Sequence, residues 1–362
     1  MRPVICFFEG DLYIYSTDYE LALCPDEIAV TAFLESIDSN NLNKMKIVQI
    51  NFDAFQASTK QVDIFKTSKA AVFILNNYQL LTLQNISISH NLIKNTFLKD
   101  ALFKLQITKN NFLENIISIK KMISAGRLYQ VNLTTTFMAD LKTDPLDLFL
   151  SNYLDYSGNY KCFLPFANHS LVSFSPELFL EKNESILKTE PIKGSISKNQ
   201  NYENDLIKNE KEESELSMIV DLLRNDLNGL ELENSAQVIK HRELMNLNYI
   251  QHTFSEIQIQ TSKLLPYILE KMMPGGSISG CPKKESLLVI QELEPHKRGA
   301  YTGTIGWWKD DNFKLNIAIR TFLQTESNYY YFAGCGIVYD SDPETEFAEL
   351  LNKTGNLNVK YI

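Results

Sequence analysis

The hydrophobic pattern changes character near Asn110, and that change limits the architectures open to this chain. Residues 1 to about 105 carry short β-rich runs: Val4-Ile-Cys-Phe-Phe, Leu12-Tyr-Ile-Tyr, Lys46-Ile-Val-Gln-Ile and Ala71-Val-Phe-Ile-Leu. Gly, Asp and Asn split them, so they read as strands, with Asn76-Asn77-Tyr78 as a turn after the last. From Asn110 onward, Phe112, Ile116, Ile119, Met122 and Ile123 recur at helical spacing, and Ala125-Gly126 closes that helix. Tyr129-Gln-Val-Asn-Leu-Thr-Thr-Thr-Phe137 reads as a strand, and Asp144-Pro-Leu-Asp-Leu opens a helix with proline in its first turn. Leu171-Val-Ser-Phe-Ser and Glu177-Leu-Phe-Leu flank a tight Ser-Pro link. Residues 203–227 predict a long helix, acidic at its N-terminal end as the dipole favours, with a stripe of Met218, Ile219, Leu222 and Leu223. Leu315-Asn-Ile-Ala-Ile and Tyr329-Tyr-Tyr-Phe-Ala predict further strands before a last helix around Pro343–Leu357. Strands and helices do not alternate regularly, so the class is α+β and not a parallel doubly wound fold. Two regions are expected: a strand-rich part, 1–105, packed onto a second part, 106–362, that carries the chemistry.

With 362 residues, 44% of them hydrophobic and 22% charged, the chain can bury a sizeable core. The net charge of -9, with no basic stripe, argues against nucleic acid as a partner. No apolar run is long enough to span a membrane. Glu9 and Asp11 interrupt the only N-terminal apolar stretch, so no signal peptide is read and the cytoplasm is expected. Five cysteines, an odd number without CxxC spacing, do not make a disulfide framework or a zinc site.

Two pairs of carboxylates stand out. Glu212 and Glu215, and Glu346 and Glu349, are each three apart on a predicted helix, which puts each pair on one face. Such a pair is either a solvated acidic face or half of a metal site; all-oxygen ligands favour magnesium (Mg2+) over zinc. Gly275-Gly276 and Gly280 are not followed by Gly-Lys-Ser/Thr, so they form no nucleotide P-loop. Gly334-Cys335-Gly336 follows a strand and is either an ordinary turn or a set of backbone N–H groups open to an anion. Glu177 is a strand-end surface charge or, if buried, a proton donor. Lys193 is a surface lysine or, if desolvated, a nucleophile; at the reference pKa of about 10.4 under ~0.1% of it is neutral at pH 7.

In order along the chain run Ser-Pro-Glu177-Leu-Phe, Pro191-Ile-Lys193-Gly-Ser195, Glu215-Leu-Ser-Met-Ile-Val-Asp-Leu-Leu-Arg-Asn-Asp226, Gln-His252-Thr-Phe-Ser, Pro274-Gly-Gly-Ser-Ile-Ser-Gly-Cys-Pro-Lys283, Ile-Arg320-Thr, Ala-Gly334-Cys-Gly336 and Glu346-Phe-Ala-Glu349-Leu-Leu-Asn-Lys353. This series, over roughly residues 110–355, resembles the chorismate-utilising enzymes. The resemblance implies two large, mostly antiparallel β-sheets packed as a sandwich, helices outside, and an active-site cleft between them. It implies Mg2+ held directly by Glu215 and Glu349, and through water by Glu212 and Glu346. Gly334, Gly336, Tyr301 and Arg320 would take a substrate carboxylate, Arg320 through its planar fork. Gly194, Ser195, Gly276, Ser277 and Lys353 would complete the substrate site; Ser195 stands where the family usually has threonine and keeps the hydroxyl. His252 would lie near the substrate ring, and Glu177 would be the general acid for the C4 hydroxyl.

Two positions separate the branches. Members that activate water carry lysine where this chain has Gln130, so Gln130 implies delivery of nitrogen. Lys193 matches the aminodeoxychorismate synthase branch, in which the lysine attacks C2; the anthranilate branch has a small residue there. The expected reaction is therefore chorismate plus ammonia to 4-amino-4-deoxychorismate, towards 4-aminobenzoate and folate. Anthranilate synthesis is the rival, opposed by Lys193 and Gly275; a catalytically inactive homologue that binds chorismate for regulation is another. No Gly-x-Cys-x-Gly turn with a downstream His-x-Glu exists, since His241-Arg-Glu243 precedes Cys335. Ammonia is thus expected from a separate glutamine amidotransferase subunit.

Overall fold

The computed structural model describes residues 1–362 except 57–60, 62, 64, 66, 91–97, 99–100, 157, 198–209, 232–234, 247–249, 327, 356 and 362. For 194–197, 210–214, 245, 246 and 250–252 the backbone alone is described. The first part of the chain forms β1 (Val4–Phe7), β2 (Leu12–Leu23), α1 (Val30–Asn40), β3 (Lys46–Ile50), β4 (Ala70–Thr82), α2 (Leu83–Ser89) and β5 (Leu102–Leu105). Next come α3 (Lys109–Ser124), β6 (Gln130–Asp140), α4 (Pro145–Asn152), β7 (Tyr160–Pro165), β8 (His169–Ser175), β9 (Leu178–Asn183), β10 (Ile186–Glu190) and β11 (Ile192–Ser197). The helix that carries Glu212 and Glu215 is α5 (Glu210–Asn228), followed by β12 (Gln237–Asn246), β13 (Ile250–Gln260), α6 (Leu265–Met272), α7 (Gly276–Ser279), β14 (Gly280–Cys281) and α8 (Lys283–Leu293). The chain closes with β15 (Thr304–Lys309), β16 (Asn312–Ile317), β17 (Thr321–Thr325), β18 (Asn328–Ile337), α9 (Pro343–Asn352) and β19 (Asn358–Lys360).

The helices begin where the sequence supplies caps. Thr108, Asp144 and Asp342 each accept a hydrogen bond from a backbone N–H of the first turn of α3, α4 and α9, and Pro145 and Pro343 occupy first-turn positions that need no N–H. Gly126, at φ +74°, ends α3 in the left-handed region that glycine adopts without penalty.

The nineteen strands among the described residues belong to one hydrogen-bonded ladder, antiparallel except for the parallel pair β5–β19. From one end it runs β12, β13, β10 and β11, β9, β16, β15, β3, β4, β2, β1, β7, β8, β17, β18, β6, β5 and β19, with β14 paired to the start of β6. The N-terminal strands are woven into it: β3 lies between β4 and β15, β1 pairs with β7, and β5 with β6. The α+β class expected from the sequence is the class observed, and one continuous core includes residues from Val4 to Leu357. Lys46 is fully buried in β3; its ammonium lies 3.1 Å from Asp38 and 4.6 Å from the centre of the Trp308 ring, which together offset its desolvation. No helix among the described residues is long and apolar enough to cross a membrane.

Two local expectations are corrected. Asn76-Asn77-Tyr78 is not a turn but the middle of β4. The strand continues because β2 shifts register opposite it, between Tyr15 and Tyr19, while Ser16 Oγ donates to the Asn77 carbonyl and Asn76 Nδ2 to Asp18. The last helix stops at Asn352, short of Leu357, and Gly355 at φ +62° turns the chain into β19. Of the helix expected over 203–227, residues 203–209 lie outside the described residues, and α5 runs on to Asn228.

Ile47 tests the weave. It is fully buried and lies opposite Phe73 on β4 and Trp307 on β15. Ile47→Ala should cost about 2–5 kcal/mol. In urea, the fluorescence of Trp307 and Trp308 and the far-UV circular dichroism should shift together; an unchanged tryptophan transition would show that β3 does not support β15.

Candidate functional site

β11 and β13 present Lys193. It pairs with Thr253 of β13, whose hydroxyl donates to the Lys193 carbonyl at 2.8 Å, and the register slips between Lys193 and Ile196. That bulge, which contains the backbone of Gly194 and Ser195, changes the aim of successive side chains. The Lys193 ammonium points to α5, 3.7 Å from a Glu215 oxygen, with side-chain exposures of 20% and 15%.

β6 and β18 form the wall opposite. Their register places Gly334 against Thr134 and Gly336 against Asn132. The two glycines are therefore part of the ladder; the turn allowed by the sequence is not formed. A Cβ on Gly336 would lie 2.6 Å from Gln130 Nε2 and 3.7 Å from Lys193 Nζ, so the glycine lets the amide and the ammonium converge on one point of backbone. Gln130 is buried, and its Oε1 has no hydrogen-bond partner among the described residues. A buried, unpaired acceptor costs about 1–3 kcal/mol, so this oxygen is suited to an external N–H or O–H donor. On Gly334, a Cβ would meet Thr134 Cγ2 at 2.6 Å, and the Gly334 carbonyl accepts from Lys353 Nζ at 2.9 Å. Lys353 also pairs with Glu349 at 2.7 Å.

Glu177 joins β8 to β9 and is buried. It accepts a hydrogen bond from Ser277 Oγ of α7 at 3.1 Å. Burial raises its pKa to about 7, while Ser277, Lys193 and Lys353 hold the rise back. This carboxyl keeps its proton into the neutral range, as a general acid requires. Two contacts seat the Ser277 segment. Gly276 lies so close to α5 that a Cβ would come within 2.5 Å of Leu222 Cδ2, and Lys283 pairs with Asp226 at 2.6 Å.

Where α9 packs on β18, Cys335 Sγ, one Glu346 oxygen and one Glu349 oxygen lie within 4.8 Å of one another. Glu346 is buried, and Ser341 Oγ donates to it at 2.6 Å. Burial pushes the Cys335 thiol up to about 12, and Sγ donates to the Glu346 carbonyl. The donors left for a metal are carboxylate oxygens, a set that fits Mg2+ better than a soft ion.

The remaining expected residues are distributed around this centre. Tyr301 is buried and stacks on Phe332 with ring centres 5.0 Å apart. Arg320 follows β16 with φ +51°, and its charge partly offsets the rise that burial gives the Tyr331 phenol. The side chains of Glu212, Ser195 and His252 lie outside the described residues. Lys193, Gln130, Gly336 and Glu215 are brought together by direct approach, as are Glu177 with Ser277 and Lys353 with Glu349 and Gly334. Sequence reasoning missed Cys335 and Ser341 as neighbours of the acidic pair, and the Asp226–Lys283 link; no local spacing announces contacts made by the fold.

The sequence profile of the family described as chorismate binding enzyme matches residues 39–358. Anthranilate synthase component 1 1 of Haloarcula marismortui is 32% identical over 263 residues, 70% of this chain and 54% of that protein. Aminodeoxychorismate synthase component 1 of Bacillus subtilis is 33% identical over 260 residues, 69% of this chain and 55% of that protein. The chain thus spans about half the length of these curated relatives. Among solved structures, anthranilate synthase component I from Streptococcus pneumoniae superposes with a TM-score of 0.80 at 24% identity, covering 98% of this chain and 89% of that one. The menaquinone-specific isochorismate synthase MenF of Escherichia coli gives 0.71 at 18% identity, covering 98% and 87%. These two likenesses concern the fold.

The Glu177 carboxyl makes a prediction about stability. Its ordinary pKa of 4.5 rises to about 7 in the folded state, so the folded chain holds a proton that the unfolded chain releases between those values. The stabilisation is complete below pH 4.5 and is lost as pH climbs to about 7. Glu177→Gln removes this loss. It should match the parent near pH 4 and exceed it at pH 8 by on the order of 3 kcal/mol. Urea unfolding across that range is the measurement, and parallel stability curves would refute the buried-acid assignment.

Proposed function

Because this chain belongs to the chorismate-binding enzyme family, we propose that it aminates chorismate at C4, as component I of an aminodeoxychorismate synthase. The observation that carries the reading is the convergence of Lys193 and Gln130 on Gly336, near a buried acid whose pKa is raised to about 7. Bound Mg2+ would supply positive charge for a substrate carboxylate, held by Glu215 and Glu349 with Glu212 and Glu346 behind them. Arg320, Tyr301 and the Gly334–Gly336 backbone would orient the substrate, with Gly194, Ser195, Gly276 and Lys353 lining it and His252 beside the ring.

In this reading neutral Lys193 attacks C2. A new C2–N bond forms, the ring double bonds shift, and the C4–O bond breaks. Glu177 gives its proton to the departing hydroxyl, which leaves as water. Ammonia, accepted through one N–H by the unpaired Gln130 Oε1, then attacks C4; the double bonds shift back and Lys193 leaves. Covalent catalysis divides one displacement of a poor leaving group into two. The ammonia comes from a separate glutamine amidotransferase subunit.

Formation of anthranilate is the second reading, favoured by the relatives that bear that name. Lys193 stands against it. Gly275 does so more weakly: a Cβ there would lie 3.2 Å from Phe179 and 3.3 Å from Ile317, so alanine would be tight.

The test is mass analysis of products from chorismate, Mg2+ and ammonium. The parent should give 4-amino-4-deoxychorismate, with no turnover when glutamine replaces ammonium. Lys193→Ala should lower that rate at least hundredfold, about 2.7 kcal/mol of barrier, while chorismate still binds. With ammonia withheld, a chorismate-derived adduct should appear on the parent and not on the variant. Anthranilate as the parent's product would support the second reading, absence of any turnover would support an inactive homologue, and an unchanged Lys193→Ala rate would remove the lysine from the mechanism.

A further inference from the structure

We propose that Glu294 and Arg298 are positioning residues: one buried ion pair fixes both the segment that holds Glu177 and the strand that carries Gln130. The roles of Glu177 and Gln130 rest on the reading above; the geometry of the pair does not.

Arg298 and Glu294 are 2% and 4% exposed, four residues apart at and beyond the C-terminal end of α8. Arg298 Nε donates to Glu294 Oε2 at 2.9 Å and Nη2 to Oε1 at 2.7 Å, a bidentate pairing. The same guanidinium reaches further. Nη1 donates to the Ile278 carbonyl at 2.8 Å and Nη2 to the Asn132 carbonyl at 2.6 Å. Its central carbon, Cζ, lies 4.4 Å from the centre of the Phe52 ring. Glu294 Oε1 in turn accepts from the Thr134 N–H and the Thr134 hydroxyl, both at 2.9 Å. Asn132 Nδ2 also donates to the Ile278 carbonyl, which closes the network.

Each contacted residue neighbours a candidate site residue. Ile278 follows Ser277, the donor to Glu177. Asn132 and Thr134 lie on β6 opposite Gly336 and Gly334, on the strand that begins at Gln130. A lysine at 298 would keep the charge but not the planar fork that serves two oxygens and two carbonyls at once. A buried ion pair gives little net stability relative to apolar packing, so geometry is the property that this arrangement supplies.

The test uses Arg298→Lys and Glu294→Gln in the full chain. With chorismate, Mg2+ and ammonium, both should lose roughly tenfold or more in kcat while KM changes by about threefold or less. A shifted α7 also loosens the Ser277 bond that restrains the Glu177 pKa, with Lys193 and Lys353 the charges facing that carboxyl. Turnover that needs protonated Glu177 falls as pH rises, and in the variants that fall should come at higher pH. The same displacement should appear without turnover, in the pH dependence of stability measured against Glu177→Gln in each background. Ser277→Ala should reproduce it. If one variant does not fold, Thr134→Val, which removes one hydroxyl from Glu294, makes the same comparison at smaller amplitude. Variants that lose only melting temperature, with kcat and the Glu177 titration unmoved, would overturn the proposal. A parent that yields a different product while the stability-read titration still moves would overturn the reading of function and leave the positioning role standing.

Discussion

The pairing of β6 with β18 is the contact on which the rest of the site depends. It runs from Asn328 opposite Asp140 to Ile337 opposite Val131, without a slip in register. Because side chains alternate across a strand, one unbroken register decides two faces together. Asn132 and Thr134 lie opposite the two glycines, while Cys335, opposite Leu133, makes its contact with α9. A slip by one residue would exchange these faces, setting Cys335 against Asn132 or Thr134 and moving the acidic pair away from its neighbours.

Buried charge is handled in three ways around this ladder. At Lys46, Asp38 and the Trp308 ring replace the water that burial removes. Around the Arg298 guanidinium, Glu294, two backbone carbonyls and the Phe52 ring face take the place of water. Glu177 has one hydroxyl donor and no carboxylate-directed fork, so it responds to burial by keeping its proton. The first two solutions make scaffold; the third leaves a group whose proton is available near neutral pH.

Much of this was legible in the sequence where the signal is local. Thr108, Asp144 and Asp342 start helices where the capping chemistry says they should, and Gly126 ends one. The β-rich runs at Val4, Lys46 and Ala71 became strands. The family pattern led to Lys193, Gln130 and Gly336, which the fold brings together. What could not be read was set by distant partners. Asn76-Asn77-Tyr78 has the composition of a turn, yet pairing with β2 keeps it extended. Glu294 and Arg298 look like surface charges after a helix; the strand and loop that desolvate them come from elsewhere in the chain.

The place of β3 between β4 and β15 bears on how such a chain is made. A ribosome releases β3 and β4 early and β15 only after most of the chain. Until β15 arrives, the outer edge of β3, with buried Ile47, Val48 and Ile50, has no strand beside it. Unpaired apolar edges recruit one another, and pairings between distant segments form slowly. The nascent chain must therefore carry an open seam until β15 is made. While that seam is open, a wrong pairing at the β3 edge competes with the arrival of β15, a hazard that the finished fold no longer shows.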